Sequence, residues 1–260
     1  MRDKIAYFIS DAHLGARIPG GEGREEALIS FLRETVSGAE YLFILGDLFD
    51  FWIEYRTAIR PDYFRVLHAL RSLIENGTTV HYCMGNHDFA LGPFMSSNLG
   101  LHLHPGEFGI RLQGRRLRLL HGEGIRKEDI ANRILRRLLR NHLTQNIYKT
   151  LHPALGVSLG SKISGWSRRC NRVDRREKVL EKYRRIAREY LERGDDIVVF
   201  GHTHVAELEH FASGIYCNTG SWIRSYPFAR LQDGELTLWL YREGEPPLPF
   251  TGGDKNGINS

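Results

Sequence analysis

Five short apolar runs in this 260-residue chain end in side chains able to hold a metal ion. Residues 5–9 lead into Asp11-x-His13, and residues 41–45 into Gly46-Asp47. Residues 79–84 lead into Gly85-Asn86-His87-Asp88, residues 117–120 into His121-Gly122, and residues 197–200 into Gly201-His202-Thr203-His204. Asp, Asn and His without Cys form a borderline-hard donor set, which suits Mn2+, Fe2+ or Zn2+ better than Cu(I) or an iron–sulfur cluster. Seven donors (Asp11, His13, Asp47, Asn86, His121, His202 and His204) are too many for one ion that must also hold water. They suffice for two ions sharing a carboxylate roughly 3.5–4 Å apart, the arrangement for in-line displacement at phosphorus. Read as extended chain, Asp11 and His13 project to one side and reach the same ion.

Five such motifs meet only if their strands share a carboxyl end, where open α/β sheets keep their ligand crevice. A Gly-rich loop over residues 14–23 precedes Leu28, Phe31, Leu32 and Val36 at helical spacing, which predicts a helix from Arg24 to about Ser37. Pro61 opens a second helix through Phe64, Leu67, Leu70, Leu73 and Ile74, stopped by Asn76-Gly77. Strands alternating with amphipathic helices predict α/β layers. From Gly106 the period changes: residues 108–112 and 117–120 flank Gln113-Gly114 as a hairpin, and residues 228–231 and 235–241 flank Asp233-Gly234. Residues 244–260, rich in Pro, Gly and polar side chains, are predicted to be a loose tail.

With 42% hydrophobic and 26% charged residues, the composition fits a globular core rather than disorder. No apolar run approaches the ~18 residues of a membrane span, and a strand predicted at residues 5–9 leaves no room for a signal peptide. Cys83, Cys170 and Cys217 lack paired metal spacing, which predicts reduced thiols in a cytosolic protein. The net charge of +5 hides an asymmetry. Between Arg126 and Arg188 stand 18 Lys/Arg against 5 Asp/Glu, so the rest of the chain is acidic. There Ile134, Leu135, Leu138, Leu139, Leu143 and Ile147 recur at helical spacing among Arg133, Arg136, Arg137 and Arg140, and Trp166 stands beside Arg168 and Arg169. A basic amphipathic segment reads as a membrane-surface element; the alternative is a solvated face packed on its own domain. Nucleic-acid binding would favour aromatics between the basic residues. The aliphatic ones here favour lipid, so no nucleic-acid partner is expected.

Taken in order, Asp-x-His, Gly-Asp, Gly-Asn-His-Asp, His-Gly and Gly-His-x-His resemble the calcineurin-like metallophosphoesterase superfamily, from Ile5 to about Trp222. The resemblance implies a four-layer αββα sandwich over residues 1–243, with a basic helical lid inserted at about 126–190. It implies that Asp11, His13 and His204 hold one ion, that Asn86, His121 and His202 hold the other, and that Asp47 bridges them. Two divalent ions are expected, Mn2+ being the expected metal, and water activated between them would be the nucleophile, its pKa brought from 15.7 to about 7. His87 would sit by the phosphoryl group and protonate the leaving oxygen, with Asp50 orienting it; the other reading of Asp50 is a helix N-cap.

More narrowly, residues 46–53, 85–92, 121–123, 151–156 and 220–222 are similar to UDP-2,3-diacylglucosamine hydrolases. These cleave the pyrophosphate of UDP-2,3-diacylglucosamine to UMP and 2,3-diacylglucosamine 1-phosphate in lipid A biosynthesis. The likeness implies a UDP-linked glycolipid substrate and an anionic membrane surface as partner, with no obligate protein partner, at the cytoplasmic face of the bacterial inner membrane. Expected substrate contacts are Asn86, Glu123, Trp52 and Phe89, with Leu139, Trp166 and Arg168 in the lid. His87 and Glu123 depart from the best-characterised branch, which has Arg and Asp there. The alternatives are another phosphodiesterase of nucleotides or nucleic acid, and a non-catalytic scaffold; retention of all seven donors and His87 argues against the scaffold.

Overall fold

In the first strand, β1 (Ala6–Ile9), Ala6 and Phe8 are buried on one face and Tyr7 and Ile9 on the other. A strand apolar on both faces must lie between two layers. The computed structural model describes residues 4–55, 58–123 and 176–251, and shows what those layers are. After β1 come α1 (Arg24–Glu34), β2 (Tyr41–Ile44) and the two-residue β3 (Trp52–Ile53). A 3-10 turn at Pro61–Tyr63 leads into α2 (Phe64–Glu75), β4 (Thr79–Cys83), β5 (Asp88–Ala90), a π-helical turn at Phe94–Asn98 and β6 (His102–His104). Then follow β7 (Phe108–Leu112), β8 (Arg115–Leu120), α3 (Arg176–Glu192) and β9 (Ile197–Phe200). The described chain closes with β10 (Ala206–Phe211), β11 (Gly214–Thr219), β12 (Pro227–Gln232), β13 (Glu235–Arg242) and β14 (Glu245–Pro249).

Two sheets result, ordered β14-β13-β12-β1-β2-β4-β6 and β10-β11-β9-β8-β7. The strands β1, β2, β4 and β6 run parallel, as do β8, β9 and β11. Between the sheets, Phe8, Phe43, Leu45 and Cys83 meet Leu117, Leu119, Val199 and Cys217. On the outer side of the first sheet, Leu28, Phe31 and Leu32 of α1 and Val66, Leu70 and Leu73 of α2 cover Tyr7, Ile44 and Tyr82. On the second, Tyr183, Ala187 and Leu191 of α3 cover Val198, Phe200 and Tyr216. This is the expected αββα sandwich, but α3 lies in the stretch expected to be lid, so from residue 176 on that stretch is a layer of the sandwich; residues 124–175 lie outside the described residues. Each fully buried aliphatic or aromatic side chain contributes roughly 1.5–3 kcal/mol.

Both predicted turns form, with Gln113-Gly114 and Asp233-Gly234 at positive φ, as a tight two-residue hairpin turn with the right-handed strand twist requires. The tail reading needs correction. Glu245–Pro249 pairs antiparallel with β13 instead of hanging free. Prolines 246, 247 and 249 are tolerated because β14 is an edge strand, whose outer side needs no amide donors. Cys83 and Cys217 are free and buried; Cys170 lies outside the described residues.

Candidate metal centre

All seven sequence-predicted donors converge where the carboxyl ends of β1, β2 and β4 meet those of β8 and β9. On one side, Asp11 Oδ1 lies 3.2 Å from His204 Nε2 and 3.7 Å from His13 Nε2, and the two histidine Nε2 atoms are 3.2 Å apart. On the other, His121 Nε2 lies 3.2 Å from Asn86 Oδ1 and 3.0 Å from His202 Nδ1. Asp47 Oδ2 stands between the two groups, 3.3 Å from His121 Nε2 and 4.0 Å from His13 Nε2. Asp11, His13, Asp47 and His121 are buried, whereas Asn86, His202 and His204 are partly open. Access is therefore from the side of the last three.

The backbone at these positions is unusual. Asp11, His13, Asp47, His202 and His204 all have positive φ, between 44° and 67°. Non-glycine residues seldom adopt this left-handed region, and strain held there clusters at functional sites. Asp11 and His13 are thus not extended as the sequence reading assumed. Their rings and carboxyls converge because left-handed residues turn the chain back at each donor. The amides of Asp11, His13 and Leu14 donate to the carbonyls of Gly46, Asp47 and Leu48, which lock the two loops together. Arg24, buried at the start of α1, donates to the carbonyls of His13, Ala16 and Gly21 and ties down the glycine-rich loop. Trp222 N and Ser221 Oγ both donate to Asp11 O. Gly46 has φ +86°, and a Cβ there would lie 2.6 Å from His121 Nδ1, so no larger residue fits.

Burial alone would push the Asp11 carboxyl up, but His121 and His204 beside it hold it well below the usual carboxylate range. Asp47 behaves alike: burial is outweighed by His121 and His87, and its carboxyl is lowered. Burial lowers His13, and burial together with His121 lowers His202 well below the ordinary imidazole value. His121 goes the other way, because Asp47 and Asp11 overcome its burial. Its Nδ1 donates to Leu45 O at 2.6 Å, which leaves Nε2 aimed at the donor cluster. Anionic Asp11 and Asp47 with neutral His13 and His202 are in the protonation states divalent cations require of their ligands, whereas His121 would give up its proton to a cation.

The donor set fits divalent metal. Among the described residues, Asp11 Oδ1 and His13 Nδ1 are buried without a hydrogen-bond partner, and such a buried carboxylate oxygen is costly unless a cation meets it. The triads Asp11/His13/His204 and Asp47/His121/His202 are each close enough to hold an ion, and so is His13/Asp47/His87.

His87 is buried beside this cluster, its ring 4.7 Å from that of His13 and its Nε2 3.9 Å from Asp47 Oδ2. Its Nδ1 donates to the backbone carbonyl of Asp50 at 2.6 Å, while the Asp50 carboxylate is 3.6 Å away. Asp50 thus adjoins His87 as expected, chiefly through its main chain, and it caps no helix. Trp52 was expected at the substrate, but it is buried in the core against Phe49 and Tyr63. Phe89 packs on Phe51 in a small buried cluster. Glu123 is half-buried two residues beyond His121. Leu139, Trp166 and Arg168 lie outside the described residues.

Sequence reasoning gave Asp88 no role. The structure makes it the brace of the site. Its Oδ2 accepts from the amides of Gly85 and Asp47 at 2.8 and 3.0 Å, and its Oδ1 accepts from Tyr82 OH at 2.8 Å. Its place directly after Asn86-His87 was the available signal.

A two-sheet αββα fold with an Asp/Asn/His crevice at its strand ends defines a metallophosphoesterase. The calcineurin-like phosphoesterase model matches residues 6–206, and the chain belongs to that family. It is 33% identical over 256 residues to the UDP-2,3-diacylglucosamine hydrolase of Porphyromonas gingivalis, covering 92% of this chain and 97% of that protein. It is 31% identical over 205 residues to the protein of the same name from Edwardsiella ictaluri, covering 79% and 78%. Among solved structures it is similar to Yfce, a phosphoesterase from E. coli, with TM-score 0.43, 18% identity and coverage of 90% and 91%. The chain is a metal-dependent phosphoester hydrolase, and no helix among the described residues is long and apolar enough to cross a membrane.

Proposed function

We propose that this chain hydrolyses the pyrophosphate of UDP-2,3-diacylglucosamine to UMP and 2,3-diacylglucosamine 1-phosphate, with two Mn2+ ions at the seven-donor cluster. The observation that carries this reading is the match to the Porphyromonas gingivalis hydrolase over nearly the full length of both chains. Asp11, His13 and His204 would hold one ion, Asn86, His121 and His202 the other, with Asp47 shared. The ions would supply charge neutralisation at the phosphoryl group and acidify water for attack.

The rest falls to this chain's own residues. Attack by the water oxygen forms one P–O bond and breaks the P–O bond to the departing phosphosugar. That oxygen needs a proton, and His87 in its imidazolium form can give one from Nε2 while Nδ1–H stays bonded to Asp50 O. Glu123 would contact the substrate at the mouth of the site. Leu139, Trp166 and Arg168 would meet the acyl chains and the anionic membrane surface, since aliphatic residues among arginines suit an amphiphile. We place the protein at the cytoplasmic face of the inner membrane on the same grounds.

The test is to incubate the full-length protein with Mn2+ and either UDP-2,3-diacylglucosamine or UDP-N-acetylglucosamine, and to measure UMP. UMP from the diacylated substrate in clear preference is the expected result. Equal turnover of both, or none of the lipid, would overturn the substrate assignment.

A further inference from the structure

Tyr183 on α3 is fully buried, yet it belongs to none of the five donor motifs. Its hydroxyl donates to Gly122 O at 2.8 Å, in the residue directly after His121. Its ring lies 6.4 Å from the His202 ring at 19°, and 5.7 Å from Phe200 edge-on. Gly122 has φ +109°, and a Cβ on it would come within 2.8 Å of Tyr183 Cε1. The tyrosine therefore sits flush against the His121-Gly122 turn while its face lies along His202. Those histidines are the two whose ring nitrogens approach each other at 3.0 Å.

From this geometry we propose that Tyr183 is a positioning residue for the metal centre. It holds the His121-Gly122 backbone through its hydroxyl and the His202 ring through its face, and so presets the half of the site that those histidines build. The other half, Asp11, His13 and His204, is braced from the Gly46–Leu48 loop and Trp222. The inference rests on the dinuclear reading of the site. It predicts an asymmetric effect: loss of Tyr183 weakens one ion and spares the other. Partners that orient metal-bound histidines typically contribute 10–100-fold in metal affinity.

The experiment titrates full-length, chelator-stripped wild type, Tyr183→Phe and Tyr183→Leu with Mn2+ by calorimetry, with electron paramagnetic resonance of the loaded proteins and a thermal melt before loading. Tyr183→Phe keeps the ring and loses only the hydroxyl. We expect it to melt as wild type does and to bind one of two ions roughly 10-fold more weakly, with Tyr183→Leu towards 100-fold. At one equivalent of Mn2+ the variants should then show an isolated-ion spectrum, and the spin-coupled pair should need excess metal. Two ions bound with unchanged affinity in both variants overturns the proposal and leaves the dinuclear reading standing. Equal weakening of both ions, in step with a lowered melting temperature, makes Tyr183 structural and also overturns it. Wild type that binds fewer than two ions removes the dinuclear reading itself, and the proposal with it.

Discussion

The amide of Asp47 donates to the carboxylate of Asp88, 3.0 Å away, and the same oxygen accepts from Gly85 N. One buried carboxylate therefore holds two loops at the spacing their donors need. Burial and the charge of Asp47 push the Asp88 carboxyl up to about 6.

Asp88→Ala would strand two amides and the Tyr82 hydroxyl in the interior. Each orphaned buried group costs about 1–3 kcal/mol, so the variant should lose roughly 2–5 kcal/mol of stability. Tyr82→Phe removes two hydrogen bonds, one to Asp88 Oδ1 and one from Leu48 N, and should lose about 1–3 kcal/mol. Urea unfolding in excess chelator checks both, and equal midpoints for Asp88→Ala and wild type would refute the bracing role.

Asp47→Ala removes the carboxylate proposed to bridge the ions and also the acceptor of the His87 amide. Loss of metal electrostatics is a several-kcal/mol effect, so turnover should fall at least ~10³-fold. Elemental analysis should show depleted metal with a fold that circular dichroism finds intact. A near-normal rate would sink the assignment of Asp47 as the bridge.

His87→Ala should lower turnover by about 10²–10⁴-fold while metal content stays near wild type. Asp50→Asn leaves the backbone carbonyl that bonds Nδ1 in place, so its effect should be the smaller, within ~10-fold. If Asp50→Asn proves as damaging as His87→Ala, then the carboxylate, not the carbonyl, orients the ring.

His81 on β4 gives a pH prediction away from the metal centre. Its Nδ1 is 2.9 Å from His104 Nε2, and its ring stacks on Phe43. Burial, with His104 and His102 nearby, lowers it to about 4. A base with a depressed folded value binds fewer protons folded than unfolded. Its stabilising contribution is thus whole above the ordinary value near 6.5 and is lost as the pH falls towards 4. Because the ring is only partly buried, the loss should be on the order of 1–2 kcal/mol. His81→Phe should flatten chemical denaturation midpoints between pH 7 and 5, both proteins being measured with chelator. An unchanged pH slope would exonerate His81.

The donor residues, the hairpins and the helices at Arg24 and Phe64 could be read from the chain, because period, turn chemistry and ligand type are local properties. The pairing of β1 with β12, more than 200 residues apart, could not be so read, nor could the meeting of β8 and β9 with the first sheet. Local pattern carries no information on such long-range register. The same gap explains Trp52, which the likeness implied at the substrate but which its neighbours in space, Phe49 and Tyr63, make core. It explains β14 as well, since proline-rich polar sequence lacks strand propensity and pairs only because β13 offers an edge. Residue chemistry alone pointed to divalent-metal binding by Asp, Asn and His donors. Only tertiary structure decided that Asp11 and His13 converge through left-handed backbone, that the Asp50 carbonyl meets His87 Nδ1, and that Asp88 and Tyr183 pack against the donor loops. Each of those depends on which atoms long-range packing brings within 3 Å or so of one another.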